Sequence, residues 1–344
     1  MIRRIFLSLL LLTLSLPLIA NNLELNPNHP DRYVVQKGDT LWDISGKFLK
    51  HPWHWPDIWY ANPQVENPHL IYPGDELTLV WRDGRPVLEL SRGLPAYRMS
   101  PQIRDITPEA AIPAIPLSLI GPFLSKPRVV GEELLEQAPY VVATADERII
   151  TGAGDTIYAR GTDAYDSEIF SIFRPGDAYK DPDTGELLGY EAIYAGEGAV
   201  TRPGDPSTLE LIKTTREVMV GDRLLEADED SFDLTFFPRR PEQDIDGSII
   251  SVVDGVSQIG QYQIVVLNRG AREGLETGHV FSVYKRGETI RDTVTQERNA
   301  MVTLPEDHAG IAMVFRVFDK VSYAIVMKAS TAINIHDKIR SVDL

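Results

Sequence analysis

Seven histidines and a large excess of carboxylates are the side chains here with the most capacity for catalysis or metal binding. A zinc hydrolase draws its imidazoles from short fixed spacings, such as His-x-His with a distant His-x-x-x-Asp. His29, His51, His54, His69, His279, His308 and His336 are scattered and never so arranged. His51-x-x-His54 comes nearest, but Pro52 stands between the two and no third ligand follows; an aromatic surface role suits the pair better. Cysteine is absent, which excludes a thiol nucleophile, a disulfide framework and an acceptor for a lipid anchor. There is no Gly-x-Ser-x-Gly elbow, no Ser-x-x-Lys and no phosphate loop. A lysozyme-like carboxylate pair is not excluded by counting, but such pairs sit in helical or mixed folds with a deep cleft, unlike the β-rich tail described below. Asp181-Pro182-Asp183-Thr184-Gly185-Glu186 alternates acids around a glycine, yet lacks a full set of calcium ligands and reads as a hairpin tip. The expectation is a non-enzymatic protein with no metal and no cofactor.

The elements able to position a binding site are most legible between Tyr33 and Val80. Tyr33-Val34-Val35 is a β-prone run stopped by the turn-forming triplet Lys37-Gly38-Asp39. Thr40-x-x-Asp43 has the form of a capping box, in which the Thr40 hydroxyl accepts from an early helix N–H. Leu41, Ile44 and Phe48 follow at helical spacing and give a short helix one apolar stripe. His51-Pro52 ends that helix, since proline drives the preceding residue out of the α region. Pro56 suits the first position of a second helix carrying Trp55, Ile58 and Trp59. Asn62-Pro63 closes it, and Pro73-Gly74-Asp75 turns the chain into a last strand, Leu77 to Val80.

This string, Tyr33-x-Val35-x-x-Gly38-Asp39-Thr40-Leu41-x-x-Ile44, then Asn62-Pro63, then Ile71-x-Pro73-Gly74-Asp75-x-Leu77, closely resembles a LysM domain. The resemblance implies a βααβ module that binds chitin and peptidoglycan through N-acetylglucosamine. It places the sugar in a shallow groove with Gly38, Asp39, Thr40 and Leu41 on one wall and Asn62, Pro63, Pro68, Leu70 and Ile71 on the other. Turn N–H and C=O groups would pair with the acetamide, and Leu41, Leu70 and Ile71 would receive its methyl and the apolar sugar face. Gly38 would let the backbone approach closely. At Asp39, Thr40 and Leu41 a purely structural role, as helix cap or core, competes with groove membership. The tryptophan-rich segment 50–55 departs from the family pattern; it either extends the sugar-facing surface or thickens a small core.

Ahead of the module, Arg3-Arg4, an apolar run from Ile5 to Leu16 and Pro17-Leu18-Ile19-Ala20 read as a secretory signal peptide over residues 1–20, too short for a membrane span. Export to the periplasm, with association to the cell wall and no membrane insertion after cleavage, is the expectation. The formal net charge is −16; residues 31–82 contribute −2 and residues 83–344 contribute −15. That acidity repels phosphate backbones and anionic lipid, so nucleic acid and membrane surfaces are poor partners.

The expected organisation is multidomain α+β: the βααβ module at 31–82, a proline-rich packed linker at 83–138, and a mostly-β region with barrel-like repeats at 139–228 and 245–344. Ile112-Pro113-Ala114-Ile115-Pro116 is too apolar for a solvated linker and is expected to pack extended, with a short helix near 132–137. Residues 149–158 read as a strand pair around a glycine turn. Three segments recur: Phe173 to Asp177 with Tyr284 to Glu288, Gly189 to Tyr194 with Gly310 to Phe315, and Val218 to Leu224 with Ile333 to Ile339, at offsets of 111, 121 and 115 residues. They imply two related small barrels, with Asp222-Arg223 and Asp337-Lys338 as solvated turns. Residues 270–284 are similar to the SH3-like C-terminal barrel of the flagellar-ring protein FlgT. The whole chain thereby resembles the type IV pilus secretin-associated proteins, which implies an adaptor that fixes an outer-membrane secretin ring to peptidoglycan. A wall-remodelling factor with hydrolase activity in the tail, or a wall stabiliser without a ring partner, are the alternatives.

Overall fold

The computed structural model describes residues 23–59, 71–91, 112–115, 119–121, 128–145, 151–227, 236–253, 258–294 and 300–342. In the N-terminal module, β1 (Arg32–Val34) pairs antiparallel with β2 (Glu76–Arg82), Tyr33 lying opposite Leu77. Between them come α1 (Leu41–Phe48), a 3-10 turn over Pro52–His54 and α2 (Trp55–Trp59), in which Pro56 takes the second position. Leu41, Ile44 and Phe48 are buried, as their spacing requires. The strand β3 (Arg85–Ser91), within the stretch expected as linker, pairs along the whole of β2. Asp83 and Gly84, at φ 50° and 77°, form the two-residue hairpin turn for which Asp-Gly is a strong signal. Pro86 obscures that signal in the sequence; β3 is the edge of the sheet β1-β2-β3, where a missing N–H is tolerated.

Beyond the module the chain is built of strands. β4 (Arg128–Val130) is followed by α3 (Glu132–Gln137), the helix expected there, then β5 (Tyr140–Thr144), β6 (Thr156–Arg160), β7 (Ile169–Lys180), β8 (Leu187–Arg202), β9 (Ser207–Thr214) and β10 (Arg223–Glu226). Of the strand pair expected over 149–158, residues 149 and 150 lie outside the described residues; Thr151 bridges to Val218, and β6 pairs with β5 and β9. Pairings run β5-β6-β9-β8-β7-β10 and return from β10 to β5, with β4 added to the start of β8.

The second set is β11 (Asp246–Val252), β12 (Gln258–Ile259), β13 (Ile264–Leu267), β14 (Val280–Lys285), β15 (Thr289–Arg291), β16 (Met301–Thr303), β17 (Asp307–Val317), β18 (Ser322–Ala329), β19 (Ile333–Asn334) and β20 (Lys338–Ser341). β11-β13-β18-β17-β14-β20 close into a six-stranded barrel, with β12–β19 and β15–β16 as separate two-stranded pairs. The order of pairing matches the first ring strand for strand.

The register locates the repeat. Ile172 lies opposite Gly196 and Leu224, and Val283 lies opposite Gly310 and Ile339. The counterpart of Gly310 is therefore Gly196, not Gly189; residues 187–194 belong to a ribbon in which β7 and β8 run on past the ring. A Cβ at either glycine would meet a backbone oxygen, that of Lys213 at 2.5 Å or Lys328 at 2.2 Å. The two Asp turns also match: Asp222 accepts from the Met219 N–H and Asp337 from the Asn334 N–H, both at 2.8 Å. Neither aspartate is solvated as expected. Both carboxylates are buried, Asp222 against Arg174 and Asp337 against the Arg286 N–H.

The module packs on the second barrel. β17 and β18 are buried on both faces: Ala312, Val314, Ala324 and Val326 point into the barrel, while Met313, Phe315, Tyr323 and Ile325 join Trp42, Trp53, Trp55 and Ile58 in one continuous core. Trp55 stacks on Phe237 at 5.7 Å, and the Tyr262 hydroxyl donates to Asp43 at 3.3 Å. The ribbon of β7 and β8 docks on the same barrel through its acidic tip. Asn268 donates to Asp181 at 2.7 Å, Arg272 and Lys320 pair with Glu186, and Lys338 pairs with Asp183. The Asp181 carboxylate also accepts from the Asp183 and Thr184 N–H groups, which makes 181–186 the hairpin tip that its sequence suggests.

Candidate functional site

The first strand–helix turn of the module is fixed by local chemistry. Gly38 sits at φ +96°, a left-handed conformation that favours glycine, and a Cβ there would meet open space. Glycine is thus required for the turn itself rather than for close approach. Asp39 accepts from the Tyr33 hydroxyl and the Gln36 N–H, each at 2.8 Å, and so ties the turn to β1. Burial and that carboxylate push the Tyr33 phenol up to about 12. Thr40 is the N-cap: its hydroxyl accepts from the Asp43 N–H at 3.1 Å and donates to the Asp43 carboxylate at 2.7 Å. The Asp43 side chain thus bonds the hydroxyl, whereas a capping box would send it to the Thr40 N–H. Thr40, Leu41 and Ile71 are all buried. Asn62, Pro63, Pro68 and Leu70 lie outside the described residues.

A helix start leaves its first N–H groups without intrahelical partners. In α1 the Asp43 N–H goes to Thr40, and the Leu41 and Trp42 N–H groups go to a distant part of the chain. They donate to the carbonyls of Pro113 and Ala114, at 3.0 and 3.2 Å. One residue earlier, the Ile112 N–H donates to the Ile71 carbonyl at 2.8 Å. Residues 112–115 therefore bridge the two segments assigned to the walls of the groove, with Ile112, Ala114 and Ile115 buried in the core that holds Leu41 and Ile71. The apolar Ile-Pro-Ala-Ile composition says that this segment packs; which surface it packs on is settled by three long-range backbone hydrogen bonds, which carry no side-chain signature.

Residues 33–80 match the LysM domain family. They are a LysM domain. LysM domains bind the N-acetylglucosamine-containing glycans of peptidoglycan, so carbohydrate binding is what this module implies. Over 60 residues the chain is also 38% identical to the uncharacterized protein YqbP of Bacillus subtilis (strain 168), a match covering 14% of this chain and 27% of that protein's length.

The tryptophans of the LysM domain are core. Trp53, Trp55 and Trp59 are 9, 2 and 6% exposed, and Trp53 packs on His51 with ring centroids 4.7 Å apart. Burial and the neighbouring Lys50 charge push the His51 imidazole down, while His54 Nδ1 pairs with Asp57 at 2.8 Å. The two histidines do not converge on one point, and the described residues contain no group of three or more His, Asp or Glu able to hold a metal ion. Where the LysM domain meets the barrel, a cavity of about 370 Å³ opens among Trp42, His51, Trp53, Tyr284, His308 and Lys328.

Proposed function

We propose that this protein is a non-enzymatic, periplasmic peptidoglycan-binding adaptor. Its LysM domain holds the glycan, and its two β-rings, taken as SH3-like barrels of the FlgT C-terminal kind, engage an envelope ring such as an outer-membrane type IV pilus secretin. The observation that carries the reading is the LysM match over residues 33–80. The ribbon β15–β16 supports a protein partner: it leaves Ile290, Met301 and Val302 exposed outside the barrel, and an exposed apolar patch favours protein contact. Each groove contact is small, and many copies arrayed on one ring would hold the wall through multivalency.

The test is co-sedimentation of the mature chain with purified sacculi. Deleting the LysM domain would expose the outer face of β17 and β18, so a point substitution is the cleaner comparison. Leu70→Asp places a charge where the acetamide methyl is expected and should weaken pelleting by about tenfold or more. Pelleting equal to that of the unaltered chain would move wall contact to the β-rings. A lysis band on a wall-embedded gel would overturn the non-enzymatic reading.

A further inference from the structure

At Leu41, Trp42 and Ile71, backbone groups beside the expected sugar site are already taken by the chain itself. The Leu41 and Trp42 N–H groups, the orphan donors at the start of α1, are satisfied by carbonyls of Pro113 and Ala114. The opposite wall offers the Ile71 carbonyl, and the Ile112 N–H takes it. An N-acetyl sugar brings the same complement: an acetamide carbonyl to accept, an acetamide N–H to donate, and a methyl in place of the aliphatic side chains. A segment that takes the Leu41, Trp42 and Ile71 backbone groups and a sugar that needs them cannot be bound together.

We propose that residues 112–115 are an intramolecular competitor for the glycan groove, so that the LysM domain binds glycan only when this strap lifts away. The proposal rests on the glycan-binding reading above. It gives the wall contact a gate. Proline at 113 suits the device: it fixes φ and removes an N–H that would need a partner, while its carbonyl still serves Leu41.

Two measurements on the full chain test this, with a tetramer of N-acetylglucosamine as the probe. In the first, amide hydrogen exchange is followed as the unaltered protein is saturated. The Ile112 amide should exchange at least about tenfold faster in the complex, because its bond to Ile71 is given up. In the second, the double variant Ile112→Ala with Ile115→Ala removes the apolar anchors of the strap. It should bind the tetramer about tenfold more tightly, as expected for a site otherwise closed nine-tenths of the time. Its near-ultraviolet circular dichroism reports whether the tryptophan core is intact. Tetramer binding with Ile112 still protected and no gain in the variant would overturn the strap and leave the glycan reading standing. Binding by the variant alone would support the strap in its strongest form. No binding by either protein, with the core intact, would overturn the glycan reading and the strap with it.

Discussion

The two rings pair their strands in one order and differ in what their outer faces carry. Counting from Thr214 and Ala329, which face Gly196 and Gly310, Thr208, Glu210 and Ile212 of β9 correspond to Tyr323, Ile325 and Met327 of β18. The inward residues between them, Leu209 and Leu211 against Ala324 and Val326, are apolar in both. In the first ring the outward side is mixed, and Glu210 and Ile212 are exposed. In the second it is aromatic or aliphatic throughout and buried, because the LysM domain and, at Tyr323, the β7–β8 ribbon sit on it. A strand apolar on one face is the mark of a barrel wall, and one apolar on both faces is the mark of a wall that carries another layer. One ring is a set of paired strands alone, and its twin is a closed barrel and a docking platform.

Exchanging residues between the rings is the sharpest way to break this comparison. Ile325→Glu gives β18 the residue of its twin and sets an unpaired carboxylate into the core beneath the LysM domain. The expected cost is about 3–5 kcal/mol. Chemical denaturation should show it, together with early proteolytic release of the LysM domain. The reciprocal Glu210→Ile should leave the stability of the first ring within about 0.5 kcal/mol. Equal losses from both would mean that the outer face of β18 has no special role.

The paired Asp turns come next. Asp337→Ala and Asp222→Ala each remove a buried carboxylate that accepts from a backbone N–H three residues earlier. A loss of about 2–3 kcal/mol is expected from each. It should be larger at Asp337, whose second donor is the Arg286 N–H, than at Asp222, whose Arg174 side chain can turn to water. Within those turns Gly221 and His336 both have positive φ, +94° and 74°. Gly221→Ala should cost about 1 kcal/mol, and His336→Gly should gain up to about 1 kcal/mol, since only the histidine is strained there. Thermal midpoints that move in the same direction would show that the turns are not equivalent.

The smallest effect concerns the ribbon tip, which one ring sends to the other. Burial pushes Asp181 up, but the Thr184 and Asp183 N–H groups and the Asn268 amide outweigh it and hold the carboxyl down to about 2. Arg272 and Lys320 hold Glu186 down to about 2 as well. Carboxylates with depressed folded-state values stabilise the fold above their ordinary range, and that contribution is lost as pH falls from about 4.5 towards about 2. Denaturation midpoints taken at pH 6 and pH 3 should therefore differ less in Asp181→Asn with Glu186→Gln than in the unaltered chain. An undiminished difference would place the acid sensitivity elsewhere.

Local signals carried much of this architecture. The Thr40 cap, the apolar stripe of α1, the helix at 132–137 and the Asp181 hairpin tip each depend on neighbours within a few residues, and each is where the sequence puts it. The repeat was legible at Phe173 with Tyr284 and at the two Asp turns. It slipped at Gly189 because extending β7 and β8 past the ring moves the alignment without leaving a local mark. β3 is not legible in the sequence, since a proline on an edge strand reads like a proline in a linker. Of the nine groove residues, Gly38, Asp39, Thr40, Leu41 and Ile71 lie within the described structure. There, turn, cap and core roles are plain, and residues 112–115 bond to the backbone of Leu41 and Ile71.

By itself the sequence determined the LysM domain, a β-rich remainder built on a repeat, and the lack of cysteine chemistry, because periodicity, turn residues and composition are written residue by residue. Only the tertiary structure decided that the LysM domain rests on the second ring and that residues 112–115 bond to Leu41, Trp42 and Ile71. The physical reason is that both outcomes depend on pairing surfaces and backbone groups far apart in the chain. A backbone N–H has the same identity in every residue that carries one, so which carbonyl it meets is fixed by where the folded elements put it.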